Sequence, residues 1–268
     1  MSTTSRTVLD RPAPPPSYTV SYGDLADQVA DVWVPAHGEP APIVLLFHGG
    51  FWRHVWDRRH LRPLASALAR EGYVVATPEY RRTGAPGGGW PGTFDDVRAA
   101  VTAVPALVSA RTPTDSRVIL SGHSAGGQLA LWAAALVHTA GAVALAPVAD
   151  LRAAYALDLD GGAVAALLGG APDEVPDRYE QADPLVRVPA AGRVVVVHGL
   201  RDAHVPPDFS SRYADAARAA GGEVLLYQPE ADHFEVIDPE CPVWSLIRQG
   251  FRDVTGPTRH VDDAQDSR

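Results

Sequence analysis

A serine with glycine two positions to either side, Gly122-His123-Ser124-Ala125-Gly126, is the pattern in this chain most suited to covalent chemistry. Val118-Ile119-Leu120 leads into it as a short apolar run of strand length, and Gln128 to Val137 follows with helix-forming residues and no breaker. A strand, sharp turn and helix of this kind strain the serine backbone and need small residues at 122 and 126 so that strand and helix can approach. The strain lifts the hydroxyl above the sheet edge, where it could attack a carbonyl carbon. The pentapeptide by itself also arises by chance in loops, so a Gly-rich turn with an idle serine is the plainer alternative. Three further groups argue against that alternative.

A serine hydroxyl is a weak nucleophile at neutral pH, so it needs a base, and the base needs a partner that fixes its tautomer. Of the ten histidines, His233 is the candidate base, because it sits in Glu230-Ala231-Asp232-His233-Phe234, just past the last predicted strand. A doubly wound sheet brings that loop beside the serine turn; the plainer alternative is a surface histidine. Asp202 is the candidate acid, since it directly follows a Val-rich run within His198-Gly199-Leu200-Arg201-Asp202. Asp150, after the preceding strand, is the rival, while Asp232 adjoins His233 and is poorly placed to face its ring. The order Ser, Asp, His suits such a fold. Acyl chemistry also needs donors for a developing oxyanion, and losing one typically costs about 3 kcal/mol. Gly50, Phe51 and Ala125 are the candidate donors, with His48 and Gly49 supporting the loop; the alternative is a turn that merely ends a strand.

These groups are positioned by a chain in which strands alternate with helices. Residues 1–17, with Pro12 to Pro16 apart from Ala13 all proline, read as a flexible, poorly packed tail. Residues 18–255 read as one domain. It opens with a short antiparallel pair (Tyr18 to Tyr22, Val29 to Val34) and continues with Ile43 to Phe47, an unbroken apolar run typical of a strand covered on both faces. Helical spacing follows from Arg58 to Arg70, then a strand from Tyr73 to Thr77. Thr93 is expected to cap a helix whose first turn holds Asp95 and Asp96 and which Pro105 kinks. Beyond the serine turn come strands at Val143 to Val148, Arg193 to Val197 and Glu223 to Tyr227, and helices at Phe209 to Ala220 and Val243 to Val254. The pattern predicts an α/β fold with a mostly parallel, doubly wound sheet and helices on both faces. Between 150 and 190 the rhythm fails, leaving a short helical piece at Val164 to Leu168 among glycines and prolines. That insertion is either a small lid over the strand ends or a plain long connection. Residues 256–268 read as a flexible polar tail.

Composition removes several classes of function. At 268 residues the chain suffices for one large domain. All 23 basic residues are arginine, so no lysine is present to form a Schiff base or serve a phosphate loop. The net charge of −9 argues against nucleic acid, and the groupings Arg58, Arg59, Arg62 and Arg81, Arg82 read as solvated faces. The lone Cys241 permits no intrachain disulfide or thiolate cluster. His48 with His54, and His198 with His204, lack flanking cysteines and an H-E-x-x-H frame, so no metal is expected. The loop from Gly84 to Gly92 does not open a helix in the frame a dinucleotide needs. No apolar run approaches the about 18 residues of a membrane span, and the start lacks the apolar core of a signal peptide. A cytoplasmic protein without a membrane partner is the expectation.

Taken together, His48-Gly49-Gly50-Phe51-Trp52, the Ser124 pentapeptide, Asp202 after its strand and Asp232-His233-Phe234 resemble the α/β-hydrolase superfamily, over about Tyr18 to Val254. The aromatic pair after His-Gly-Gly stands where the hormone-sensitive-lipase branch has a third glycine, and it is similar to kynurenine formamidases (arylformamidases) and their esterase relatives. Glu235, Val236 and Ile237 after His-Phe are similar too. The resemblance implies a triad of Ser124, His233 and Asp202, no cofactor, and a small-molecule substrate. The implied reaction passes a small acyl group from a carboxylic ester or aryl formamide through an acyl-enzyme. A general short-chain carboxylesterase and a non-catalytic ligand-binding protein on the same fold are the alternatives. Thioesters and peptides also remain open, large peptides being less attractive without an added domain. Trp52, Tyr80 and Trp90 are candidate pocket residues, against the alternative that such aromatics pack as core.

Overall fold

The computed structural model describes residues 5–256. Eight strands among them form one sheet: β1 (Tyr18–Ser21), β2 (Val29–Trp33), β3 (Ala41–Phe47), β4 (Val74–Pro78), β5 (Thr114–His123), β6 (Gly141–Leu145), β7 (Arg193–Val197) and β8 (Val224–Tyr227). Their spatial order is β1-β2-β4-β3-β5-β6-β7-β8. β1 and β2 pair antiparallel, β2 joins β4 antiparallel, and every pairing from β4 to β8 is parallel.

The apolar run of β3 shows why the sheet is covered twice. Ile43, Leu45 and Phe47 point into one core and Val44 and Leu46 into the other, the two-residue period of a strand. The first core is closed by α2 (Gly92–Ser109), α3 (Ala125–Ala134) and α7 (Asp208–Ala219). The second is closed by α1 (Arg62–Arg70) and α8 (Trp244–Thr255). From β3 the chain passes to β4 on one side, and from β5 it passes to β6 on the other. The carboxyl ends of β3 and β5 therefore flank a topological switch point, where open α/β sheets bind ligands. Both the serine turn and the His48 loop leave the sheet there.

Several local expectations are corrected. Thr93 does not cap α2, which starts at Gly92 after Pro91; its hydroxyl donates to Arg81 O (2.6 Å) and accepts from Gly89 N (3.0 Å). Asp96 is fully buried and receives Arg81. β6 ends at Leu145, short of the expected Val148. The arginine groupings are not simply solvated. Arg58 and Arg62 meet buried Asp31, Arg82 meets buried Glu79, and Arg81 meets Asp96. Asp31 and Asp96 lie on other elements than the arginines they meet, which the sequence does not show, whereas Glu79 stands only three residues before Arg82.

Residues 5–17 are not a loose tail either. Ser5–Asp10 form a 3-10 turn, Val8 is buried in the second core, and Arg11 pairs with both carboxylate oxygens of Asp238, one at 2.8 Å. Prolines donate no backbone hydrogen bond but their carbonyls accept, and Pro14 O takes the Trp33 indole N–H at 3.1 Å. Ser17 N then donates to Val32 O. Residues 257–268, which carry nearly all of the expected C-terminal tail, lie outside the described residues.

The 150–190 segment holds three short helices, α4 (Leu151–Ala156), α5 (Ala163–Leu168) and α6 (Pro176–Ala182). Its far end is tied to α3, for Gln128 donates to Ala182 O (2.9 Å) and Trp132 to Gln181 O (2.7 Å). Among the described residues no helix is long and apolar enough to cross a membrane.

Candidate active site

Ser124 occupies the turn between β5 and α3 with φ 57° and ψ −119°, a conformation that L residues avoid unless the surroundings impose it. The imposition is close packing. A Cβ on Gly122 would lie 2.1 Å from Gly126 O, and one on Gly126 would lie 2.1 Å from Phe47 O. Strand and helix thus meet at distances that only glycine permits. Ser124 is 1% exposed, and its hydroxyl has no hydrogen-bond partner among the described residues.

His233 lies on the loop after β8 and lines the same cleft as Ser124. Its Nδ1 is 2.6 Å from Asp202 Oδ2, which leaves Nε2 as the nitrogen available to the cleft. Catalytic hydrogen bonds are often slack without substrate, so the unbonded serine is compatible with His233 as its base. Asp202 itself accepts three hydrogen bonds, one of them from His233, and has a fourth nitrogen close by. Its Oδ1 accepts from His204 N (2.8 Å) and Val205 N (2.9 Å), and its Oδ2 also lies 3.2 Å from His198 Nε2. Burial pushes its carboxyl up, but His198, His233 and the Val205 amide outweigh burial and hold it well below the usual carboxylate range. Asp202 therefore stays an anion beside the imidazole. The rival acids are engaged elsewhere: Asp150 caps α4 through Ala153 N and pairs with Arg212 (3.1 Å), while Asp232 caps the next turn through Phe234 N and Glu235 N.

The loop after β3 turns sharply, with φ of 101° at Gly50, 49° at Phe51 and 58° at Trp52. The amides of Gly50, Phe51 and Ala125 donate to no acceptor among the described residues, and Gly50 and Phe51 line the cleft beside Ser124. They are thus free for an oxyanion. Beneath them His48 is fully buried: its Nε2 donates to Glu79 Oε1 (2.7 Å), its Nδ1 lies 2.8 Å from Gly49 O, and its ring stacks on Tyr80 at 4.3 Å. Burial raises the Glu79 carboxyl, but His48, Arg82 and the Arg58 amide together bring it down to about 2.

The candidate pocket residues are not in the cleft. Trp52 is fully buried, with its indole N–H on Gln128 Oε1 (3.0 Å), and Tyr80 is fully buried, with its hydroxyl on His48 O (2.7 Å). Each polar tip has an internal partner, which lets the ring serve as core. Trp90 is only partly buried and packs on Phe94 at 5.1 Å, away from Ser124. The observed walls are Phe51, Trp56, His60, His123, His204 and Phe234, with Asp160 from the 150–190 segment and Arg6 and Leu9 from the N-terminal turn. His123 Nε2 donates to His233 O (2.8 Å), so the residue before the serine also holds the backbone of the histidine. Burial, with His233 nearby, keeps His123 neutral, and burial beside His48 pushes His60 down to about 3. The cleft encloses about 140 Å³. That is below the about 300–1,000 Å³ of sites for drug-sized ligands.

Sequence reasoning missed Glu79, Gln128, His198 and the N-terminal wall. His198 had a signal, because it stands four residues before Asp202 at the end of the same strand. Among the described residues, no group of three or more His, Cys, Asp and Glu side chains is arranged to hold a metal ion.

The sequence pattern of the prolyl oligopeptidase family matches residues 59–241, a range that contains Ser124, Asp202 and His233. Esterase LipC of Mycobacterium tuberculosis is 27% identical, over 90% of this chain and 62% of its own. Kynurenine formamidase of Danio rerio is 34% identical over 41% of this chain and 36% of its own. The chain spans less than two thirds of the length of the curated relatives it matches. Esterase B of Lactobacillus rhamnosis, solved with a tributyrin phosphonate inhibitor, superposes with a TM-score of 0.75 at 19% identity, covering 94% of this chain and 89% of that one.

Proposed function

The chain belongs to the prolyl oligopeptidase family and has the α/β-hydrolase fold; from that premise we propose that it is a serine hydrolase cleaving a small acyl group from an ester or aryl formamide. The observation that carries this reading is the Asp202–His233 pair at 2.6 Å on the cleft that also holds the strained, unbonded Ser124. Ser124 attacks the carbonyl while His233 takes its proton, and Asp202 stabilises the imidazolium. Amides of Gly50, Phe51 and Ala125 receive the oxyanion. His233 then returns the proton to the leaving group, and water releases the acyl group from Ser124 by the same steps.

The small cleft with aromatic walls at Phe51, Trp56 and Phe234 favours a short acyl group and an aromatic leaving group, such as the aniline of N-formylkynurenine. Similarity to a kynurenine formamidase over part of the chain supports the same choice. A purely ligand-binding role is disfavoured, because a receptor has no use for nucleophile, base, acid and free oxyanion donors together.

The test is hydrolysis of N-formylkynurenine beside p-nitrophenyl esters from acetate to octanoate, by wild type and Ser124→Ala. Formamide turnover exceeding every ester in kcat/KM, and lost with Ser124, establishes an arylformamidase. Turnover of short esters alone reduces the reading to a short-chain esterase, and turnover that survives Ser124→Ala removes it.

A further inference from the structure

The N-terminal turn Ser5–Asp10 is part of the cleft, a placement that the serine mechanism does not require. Val8 anchors it in the core, and Arg11 staples it to Asp238, just past the 3-10 turn Glu235–Ile237 that follows His233. The turn is thereby fastened to the same loop that carries the candidate base. Arg6 then projects over Phe234, its guanidinium carbon 5.4 Å from the ring centroid. The Phe234 ring is 5.1 Å from the rings of both His233 and His204.

The charges facing the cleft are few. Asp160 is neutralised by Arg53 at 2.5 Å. His60 and His123 are kept neutral by burial, and burial together with His233 also lowers His204. Arg6 is exposed, lines the cleft, and forms no ion pair with a carboxylate among the described residues. The wall beside His233 is therefore cationic at neutral pH. Because the base must hand its proton to the departing group, the leaving group lies against His233, and beyond it stand Phe234 and Arg6.

We propose that Arg6 is a specificity-determining residue that receives an anionic group, a carboxylate above all, on the leaving-group portion of the substrate. The inference rests on the hydrolase reading for its orientation. A guanidinium stacked on an aromatic ring keeps its N–H edge free for a carboxylate, and the ring orients it at small entropic cost.

The test is the ratio of kcat/KM for 4-acetoxybenzoate to that for its neutral methyl ester. Arg6→Met keeps the apolar stem over Phe234 and removes the charge, Arg6→Lys keeps the charge, and Arg6→Glu reverses it. The ratio is expected to fall about three- to tenfold in Arg6→Met, chiefly through KM, to be largely kept in Arg6→Lys, and to fall furthest in Arg6→Glu. Added salt should shrink the wild-type ratio. An unchanged ratio in Arg6→Met overturns the inference and assigns Arg6 to packing alone. A wild type that hydrolyses neither ester counts against the hydrolase reading instead. Calorimetric binding of 4-hydroxybenzoate then decides for Arg6, weaker binding in Arg6→Met upholding its role and equal binding overturning it.

Discussion

Two histidine–carboxylate pairs of nearly equal length stand on either side of Ser124: His48 with Glu79 at 2.7 Å, and His233 with Asp202 at 2.6 Å. In both, several donors keep the carboxyl ionised against its burial. They differ in what the second ring nitrogen meets. That of His48 faces Gly49 O inside a sealed core, under a stacked Tyr80 ring, so the residue can only brace the loop above it. That of His233 is left to a cleft shared with an unbonded serine hydroxyl. The same pair of side chains is thus a brace in one place and a candidate proton carrier in the other, and access rather than pairing separates them.

The comparison breaks most visibly at the serine side. Ser124→Ala should lower kcat by about 10⁴-fold or more while circular dichroism stays that of the wild type. Asp202→Asn is expected to cost about 10⁴-fold in kcat with little change in KM, because it disturbs the tautomer of the histidine that the proposed mechanism uses as proton carrier. Glu79→Gln should cost much less, about 10- to 100-fold, since it only slackens the loop that aims the Gly50 and Phe51 amides. Its larger signature is in stability. Loss of the carboxylate leaves Arg58 and Arg82 short of a buried counter-charge and takes the charged acceptor from His48, a cost of about 3 kcal/mol seen as a lower Tm. Equal kinetic losses from Glu79→Gln and Asp202→Asn would remove the distinction between brace and proton carrier.

A smaller effect sharpens the brace. The Glu79 carboxyl falls from 4.5 to about 2 on folding, so between those values the unfolded chain binds more protons than the native one. The stabilisation is fully present above about pH 4.5 and is lost as the pH falls toward about 2. Urea titrations across that range should show the wild type losing stability on acidification and Glu79→Gln losing less of it. An identical acid limb in the two proteins would show that Glu79 is not the group responsible.

What was legible in the sequence follows from how local each signal is. The serine turn writes its geometry in five consecutive residues, and Asp202 and His233 each stand on the loop that leaves an apolar strand. Parallel strands put the loops at their carboxyl ends on one edge of the sheet, so Ser124 after β5, Asp202 after β7 and His233 after β8 are legible as candidates for a shared site. The role of Glu79 is not legible, because it depends on β3 and β4 lying side by side, which brings His48 to it, and on Arg58 from another segment, beside the nearby Arg82. For Trp52 and Tyr80 the sequence leaves pocket and core both open, and the core wins because Gln128 and the His48 carbonyl, on other elements, satisfy their polar tips there. The N-terminal turn reads as a loose lead-in because of the proline run after it, against two short signals: the apolar pair Val8-Leu9, which packs on the second core, and the charge of Arg11, which pairs with the distant Asp238.

The most direct measurement is covalent: reaction of the folded protein with a fluorophosphonate, followed by intact mass and peptide mapping, in wild type, Ser124→Ala and His233→Ala. One equivalent on Ser124, absent in Ser124→Ala and far slower in His233→Ala, is the expected result. A folded wild type that takes up no label, or label that persists when Ser124 is alanine, would contradict the assignment of Ser124 and His233 as nucleophile and base.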